Sequence, residues 1–138
     1  MAWYEEGVIL SRNPPYLLND DGTPYDFTYD VGEGWKDLCV RTFEKIADTY
    51  VRHDVDLSEF SLVQIKEKFG GLRIYPGGIE SGLYDDVYSA ICKAEDESYT
   101  ICELCGNPGK PRKGSWIKTL CQEHAREYGY KIIEEETV

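Results

Sequence analysis

Cys102-Glu103-Leu104-Cys105 and, fifteen residues later, Cys121-Gln122-Glu123-His124 form the stretch that decides how the last third of this chain folds. Two pairs of soft ligands, each with two residues between its members, match the pattern of a structural zinc site. A Cys-x-x-Cys turn aims two thiolates at one point, and its backbone amides are free to hydrogen-bond the sulfurs. Gly106 follows the second cysteine, where the chain must turn sharply. Gln122 to Tyr130 has helix-forming composition, so Cys121 and His124 fall on one face of a first helical turn. Asn107-Pro108-Gly109 and Lys113-Gly114-Ser115 are turn signals that flank a short hairpin between the pairs. Knuckle, hairpin and helix in that order resemble a treble-clef zinc finger. Cys102, Cys105, Cys121 and His124 fill all four positions around one Zn2+, so the expected role is structural and not catalytic.

Upstream, the hydrophobic period changes twice. From Glu33 to Val51, Trp35, Leu38, Cys39, Thr42, Phe43, Ile46, Ala47 and Tyr50 recur at helical spacing, with charged residues on the opposite face. Cys39 lies inside that stripe and reads as a small buried hydrophobe. Val63, Ile65, Glu67 and Phe69 then alternate with Gln64, Lys66 and Lys68, Gly70-Gly71 interrupts, and Leu72-Arg73-Ile74-Tyr75 resumes. This predicts two strands joined by a tight glycine turn. Residues 81–97 predict a second helix, with Leu83, Val87, Ala90, Ile91 and Ala94 as its apolar stripe and Tyr84 and Tyr88 beside it. Glu95-Asp96-Glu97 near its end opposes the helix dipole, so those acids must be solvated or paired. Residues 1–32 carry turn chemistry interleaved with Tyr16, Leu17, Tyr25, Phe27 and Tyr29, which predicts an irregular segment packed on the core. The expected fold is α+β: an amphipathic helix on a small antiparallel sheet, a second helix, then the treble-clef-like zinc module. Residues 1–100 would form the α+β domain and 101–138 the module packed on it.

The formal charge is −11 and is unevenly distributed. Residues 61–79 carry +2 and residues 102–133 carry +3, whereas residues 1–60 carry −8 and residues 80–101 carry −5. So acidic a chain argues against DNA or RNA binding through its overall field, since phosphate binding needs clustered cations. No apolar run reaches the ~20 residues a membrane span needs. The N-terminus lacks the pattern of a signal peptide. Five cysteines, three of them clustered near a histidine, fit reduced thiols and a metal better than a disulfide framework. These features predict a cytoplasmic protein.

Two basic stretches invite a ligand. Lys66, Lys68 and Arg73 beside the Gly70-Gly71 turn, with Tyr75, form a candidate site for a phosphate or nucleotide, although the spacing matches neither a Walker A loop nor a dinucleotide fingerprint. Lys110, Arg112, Lys113 and Lys118, with Trp116 beside them, form a second patch on the zinc hairpin, whose interleaved cations and ring could contact nucleic acid although the rest of the chain would repel it. The alternative reading makes Trp116 a cover for the zinc core. His53 is the other histidine and sits in no catalytic pattern.

Gly34-Trp35, then Gln64-Ile65-Lys66-Glu67-Lys68-Phe69-Gly70-Gly71-Leu72-Arg73, then Cys102 to Gly106, then Trp116 to His124 occur in that order. In this the chain resembles a family of small bacteriophage, prophage and bacterial proteins with a C-terminal zinc knuckle. The resemblance covers the chain from Gly34 onward and brings no activity with it. It implies a phage or mobile-element context. Small phage accessory proteins often block host defence components, so the expectation is a non-enzymatic binding protein whose partner is a host protein. The other two expectations are a sponge for a small cyclic or linear nucleotide and a metal-dependent nuclease of treble-clef type.

Overall fold

The computed structural model describes residues 28–56 and 59–131. The aromatic N-terminal segment predicted to pack on the core lies almost wholly outside the described residues. The order of elements is β1 (Thr28–Asp30), a 3-10 turn (Glu33–Trp35), α1 (Lys36–Arg52), β2 (Ser61–Lys68), β3 (Gly71–Gly78), a second 3-10 turn (Ser81–Leu83), α2 (Tyr84–Ser98), β4 (Lys110–Arg112), β5 (Lys118–Leu120) and α3 (Gln122–Glu127). The fold is α+β, as the changes of period require.

The stripe read in α1 is the stripe that is buried. Leu38, Cys39, Val40, Thr42, Phe43, Ile46, Ala47 and Tyr50 all lie inside. Leu38, Cys39, Val40, Phe43, Ile46 and Tyr50 among them pack with Leu62, Ile65, Leu72 and Ile74 of the sheet and with Leu83, Val87, Ile91 and Ala94 of α2 in one apolar cluster. Burial pushes the Cys39 thiol up to about 12, so it stays a neutral hydrophobe. Arg41 of α1 holds Glu97 of α2 at 2.6 Å. That pair draws the Glu97 carboxyl below its ordinary range and resolves one of the acids that opposed the α2 dipole.

β2 and β3 form an antiparallel hairpin in which Lys66 faces Arg73 and Ile65 faces Ile74. β1 adds to the other edge of β2 in parallel, with Tyr29 opposite Ile65, a strand the sequence did not signal. α2 covers the free edge of β3: the Leu72 N–H donates to Ser98 Oγ at 2.9 Å, and Arg73 pairs with Glu95 at 3.3 Å. An edge occupied in this way cannot recruit a further strand there.

The hairpin turn is made by Phe69 and Gly70, with φ of 55° and 85°. Two successive left-handed residues match the right-handed twist of the strands, the reason such turns favour Asn-Gly. Gly70 adopts its angle without cost. Phe69 does not, and a left-handed L-residue is held at about 1–2 kcal/mol. Replacing Phe69 by Asn should therefore raise the unfolding free energy by about 1 kcal/mol in urea titration; a variant no more stable than the parent would show that the turn is not strained.

Candidate metal centre

The knuckle is built by backbone. Gly106 N–H donates to Cys102 O at 2.9 Å, Cys102 N–H to Asn107 O at 2.8 Å, and Ile101 bridges Pro108. Gly106 takes φ 82°, the sharp reversal expected after the second cysteine. β4 and β5 pair antiparallel, with Lys110 opposite Leu120, and lead straight to the second ligand pair. Cys121 is the N-cap of α3, and its sulfur accepts the His124 N–H at 3.4 Å. The helix is shorter than its composition suggested, ending at Glu127, because Tyr130 N–H turns back to Ala125 O at 2.7 Å.

These segments bring Cys102, Cys105, Cys121 and His124 together, with the ligand atoms all within 4.8 Å of one another. The spacings agree with tetrahedral zinc. Zn–S and Zn–N bonds of ordinary length place two sulfurs about 3.8 Å apart and a sulfur and a nitrogen about 3.6 Å apart. Cys105 Sγ lies 3.8 Å from Cys121 Sγ, and Cys102 Sγ lies 3.5 Å from His124 Nδ1. Cys121 Sγ is 3.2 Å from the same nitrogen, a little tighter than that ideal. A Cys3His set of soft donors at these distances fits one Zn2+ with no position left for water. His124 turns Nδ1 toward the sulfurs. Cys102 and Cys121 are buried, while Cys105 is exposed on the outer side.

Burial opposes ionisation of Cys102, yet backbone hydrogen bonds around Cys121, Cys105 and Leu104 draw its thiol down to about 7. Cys105 moves the other way: burial and the two neighbouring sulfurs push it up to about 11. Without a metal, the cluster thus holds a proton that zinc must displace.

The knuckle does not stand apart. Gly34 N–H donates to Glu103 O at 2.8 Å. A methyl on Gly34 would lie 2.1 Å from Cys102 O and 2.6 Å from Gly106 N, so the two backbones meet where only glycine fits. Trp35, fully buried, donates its indole N–H to Ile101 O at 2.9 Å. Glu103, 5 % exposed, accepts Gly32 N–H at 3.0 Å and meets Lys118 Nζ at 3.4 Å. Lys118 also reaches Glu67 of β2 at 3.1 Å, and Glu67 accepts Gly70 N–H at 2.8 Å. Burial raises the Glu103 carboxyl, and Lys118 partly offsets it. Burial alone would lower Lys118; the two carboxylates hold it above its ordinary value. Thr119, fully buried, donates to Gly70 O at 2.6 Å and closes the seam.

The candidate ligand residues are placed as follows. Lys66 and Arg73 face each other across the hairpin, and alternation sets Lys68 and Tyr75 on the same face. Arg73 is engaged by Glu95, while Lys68 Nζ sits 5.6 Å from the centre of the Phe69 ring. In the second patch, Arg112 is buried with Nε donating to Leu120 O at 3.1 Å. Lys118 is bound to its two glutamates. Trp116 does not cover the zinc core; it is 77 % exposed. The seam residues Gly34, Glu67, Glu103 and Thr119 were missed as a group. Their only signal was sequence order, since nothing local in Glu67 or Glu103 announces an ion pair with Lys118. His53 closes the C-terminus of α1, with Nδ1 at 2.8 Å from Thr49 O.

The chain matches no family model, no curated protein and no solved structure. Among the described residues no helix is long and apolar enough to cross a membrane.

Purified protein should carry one zinc per chain by metal analysis. Its affinity should fall as pH drops, since zinc displaces the Cys105 proton already at neutral pH, and fall more steeply below about pH 7, where the metal-free Cys102 also takes up a proton. An affinity in chelator competition that does not change with pH would contradict the thiolate assignment. Gly34→Ala should cost about 2–3 kcal/mol by overpacking and weaken zinc about tenfold or more in chelator competition. A Gly34→Ala protein that keeps full zinc affinity would show the seam and the metal to be uncoupled.

Proposed function

We infer that the protein is a non-enzymatic, zinc-stabilised binding protein, a phage accessory factor that docks on a host protein of antiviral defence and inhibits or sequesters it. The observation that carries the reading is the closed Cys3His cluster, which supplies four ligands to one ion and so suits a scaffold better than a catalyst. The helical layer supports it from the other side. Tyr84 and Tyr88 stand exposed on α2, with ring centroids 4.6 Å apart and Asp85 and Asp86 beside them. Amphipathic rings set among carboxylates suit the anchor of an interface with a basic partner. The phage context rests on the order of the motifs from Gly34 to His124.

A tagged copy expressed in the host should recover a stoichiometric protein partner. The combined variant Tyr84→Ala, Asp85→Lys, Asp86→Lys, Tyr88→Ala should lose it, while zinc content stays at one per chain. Recovery of nothing above background by the parent protein, in the host that carries its gene, would sink the reading.

A second reading, a sponge for a small nucleotide, draws on Lys66 and Arg73 sharing one face with Lys68 and Tyr75. Arg73 would have to leave Glu95 or engage a phosphate through its remaining donors. Calorimetry with cyclic and linear nucleotides decides it, and absence of heat with the whole panel removes it.

A further inference from the structure

The two basic stretches of the sequence, separated by more than thirty residues, meet at a pair of turns. The Phe69-Gly70 turn of the first hairpin lies against the Gly114–Ile117 turn of the zinc hairpin. A methyl on Gly70 would sit 3.1 Å from Ile117 Cγ2. Both turns are braced from behind. Thr119 Oγ1 holds Gly70 O at 2.6 Å, and Tyr130 OH donates to Trp116 O at 2.9 Å. In front, the side chains project into solvent: Phe69 is 65 % exposed, Trp116 77 % and Ile117 38 %. Phe69 is held there by a left-handed φ of 55° that a smaller turn residue would adopt more easily. A strained backbone that presents an exposed ring, beside a braced turn that presents another, is not explained by packing.

The local charge is opposite to that of the molecule. Glu67 and Glu103, the nearest carboxylates of the seam, are already bound by Lys118. Lys68 lies over the Phe69 ring, and Lys113 is exposed on the neighbouring turn. The geometry points to this tip as a binding site for single-stranded nucleic acid: bases stack on Trp116 and Phe69, and Lys68 and Lys113 meet the flanking phosphates. Exposed rings interleaved with ammonium groups are the elements of sequence-tolerant single-strand binding. The size of the patch favours that ligand over a folded protein. Two aromatic side chains and an isoleucine offer on the order of 400 Å2, about half of the ~800 Å2 each member of a stable protein pair buries. A few stacked nucleotides need no more. Duplex DNA is disfavoured, since its bases are not free to stack and its dense charge meets the acidic remainder of the chain. This site stands apart from the α2 face of the preceding reading, shares Lys68 alone with the Lys66, Arg73 and Tyr75 face, and rests on neither reading.

The test uses the full zinc-loaded chain and a fluorescein-labelled single-stranded ten-nucleotide probe, read by anisotropy at low salt. Saturable binding is expected, with a log–log salt slope of about −1.4, corresponding to two phosphate contacts. Trp116→Ala and Phe69→Ala should each weaken it about tenfold or more, as loss of one stacked base requires. Both side chains are exposed, so zinc content and thermal midpoint serve as controls for folding. Lys68→Glu with Lys113→Glu should weaken binding and flatten the salt slope. Absence of saturation at about 0.5 mM protein, or binding undiminished in the double variant Phe69→Ala, Trp116→Ala, overturns the assignment. So does equal binding of an oligoglutamate peptide, which would give the tip to an acidic protein. So does equal binding of a mononucleotide, which would return the ligand to the Lys66–Arg73 face.

Discussion

The close approach of Gly34 to the backbone of Cys102 and Gly106 is the constraint on which the rest of the molecule depends. A residue that opens the first helix and a knuckle that begins some seventy positions later touch main chain to main chain. No side chain can stand between them. Once they touch, the Trp35 indole falls on Ile101 O, the Glu103 carboxylate falls on Gly32 N–H, and Lys118 is left between Glu103 and Glu67. Contacts this distant in sequence are entropically costly to close. Zinc ligation reduces that cost, because tying residues 102–124 to one ion leaves them less freedom to lose on docking against the sheet.

Residues 101–131 bury a small cluster of their own: Cys102, Leu120, Cys121 and Ala125, with Tyr130 packed against it. Two of those residues are metal ligands. So small an apolar core does not hold a chain of this length folded, and metal ligation is the ordinary remedy. The seam is the second remedy. Its half-buried Glu103–Lys118–Glu67 cluster gains little net stability, because desolvation of Glu103 offsets much of the attraction. What it supplies is register: Lys118 reaches both carboxylates in one alignment of the zinc hairpin on β2, and Thr119 confirms it through Gly70 O.

The legible parts of the sequence were those carried by period and spacing. The α1 stripe from Trp35 to Tyr50, the hairpin about Gly70, the α2 stripe and the four zinc ligands each follow from a local rule. What was illegible is what depends on tertiary approach. β1 has three residues and pairs in parallel, so it leaves no alternation to read. Phe69 takes a turn position that the rules assign to glycine or asparagine. Glu67 and Arg112 look like surface charges until the partner segment arrives. Trp116 looked like a cover for the metal, yet its neighbours Ile117 and Thr119 do the packing and leave the indole outside.

The same seam brings four separate segments of this chain together. Gly34-Trp35, the stretch around Glu67 to Gly71, Cys102 to Gly106 and Trp116 to His124 are four sides of one junction. Gly71 belongs to it through α2, since a methyl there would lie 2.4 Å from the Tyr99 hydroxyl. A glycine pair beside lysines invites a phosphate-loop reading, but here one glycine makes a left-handed turn and the other admits a tyrosine. That assigns the glycine pair to assembly, and it frees the side chains the junction does not use. Lys66 and Lys68 of the hairpin, together with Phe69, Lys113 and Trp116 at the two turns, point away from the seam or stand exposed at its rim. Chemistry directed outward from this scaffold must therefore be sought among those residues and on the acidic face of α2, not in the glycines or the metal that hold the scaffold together.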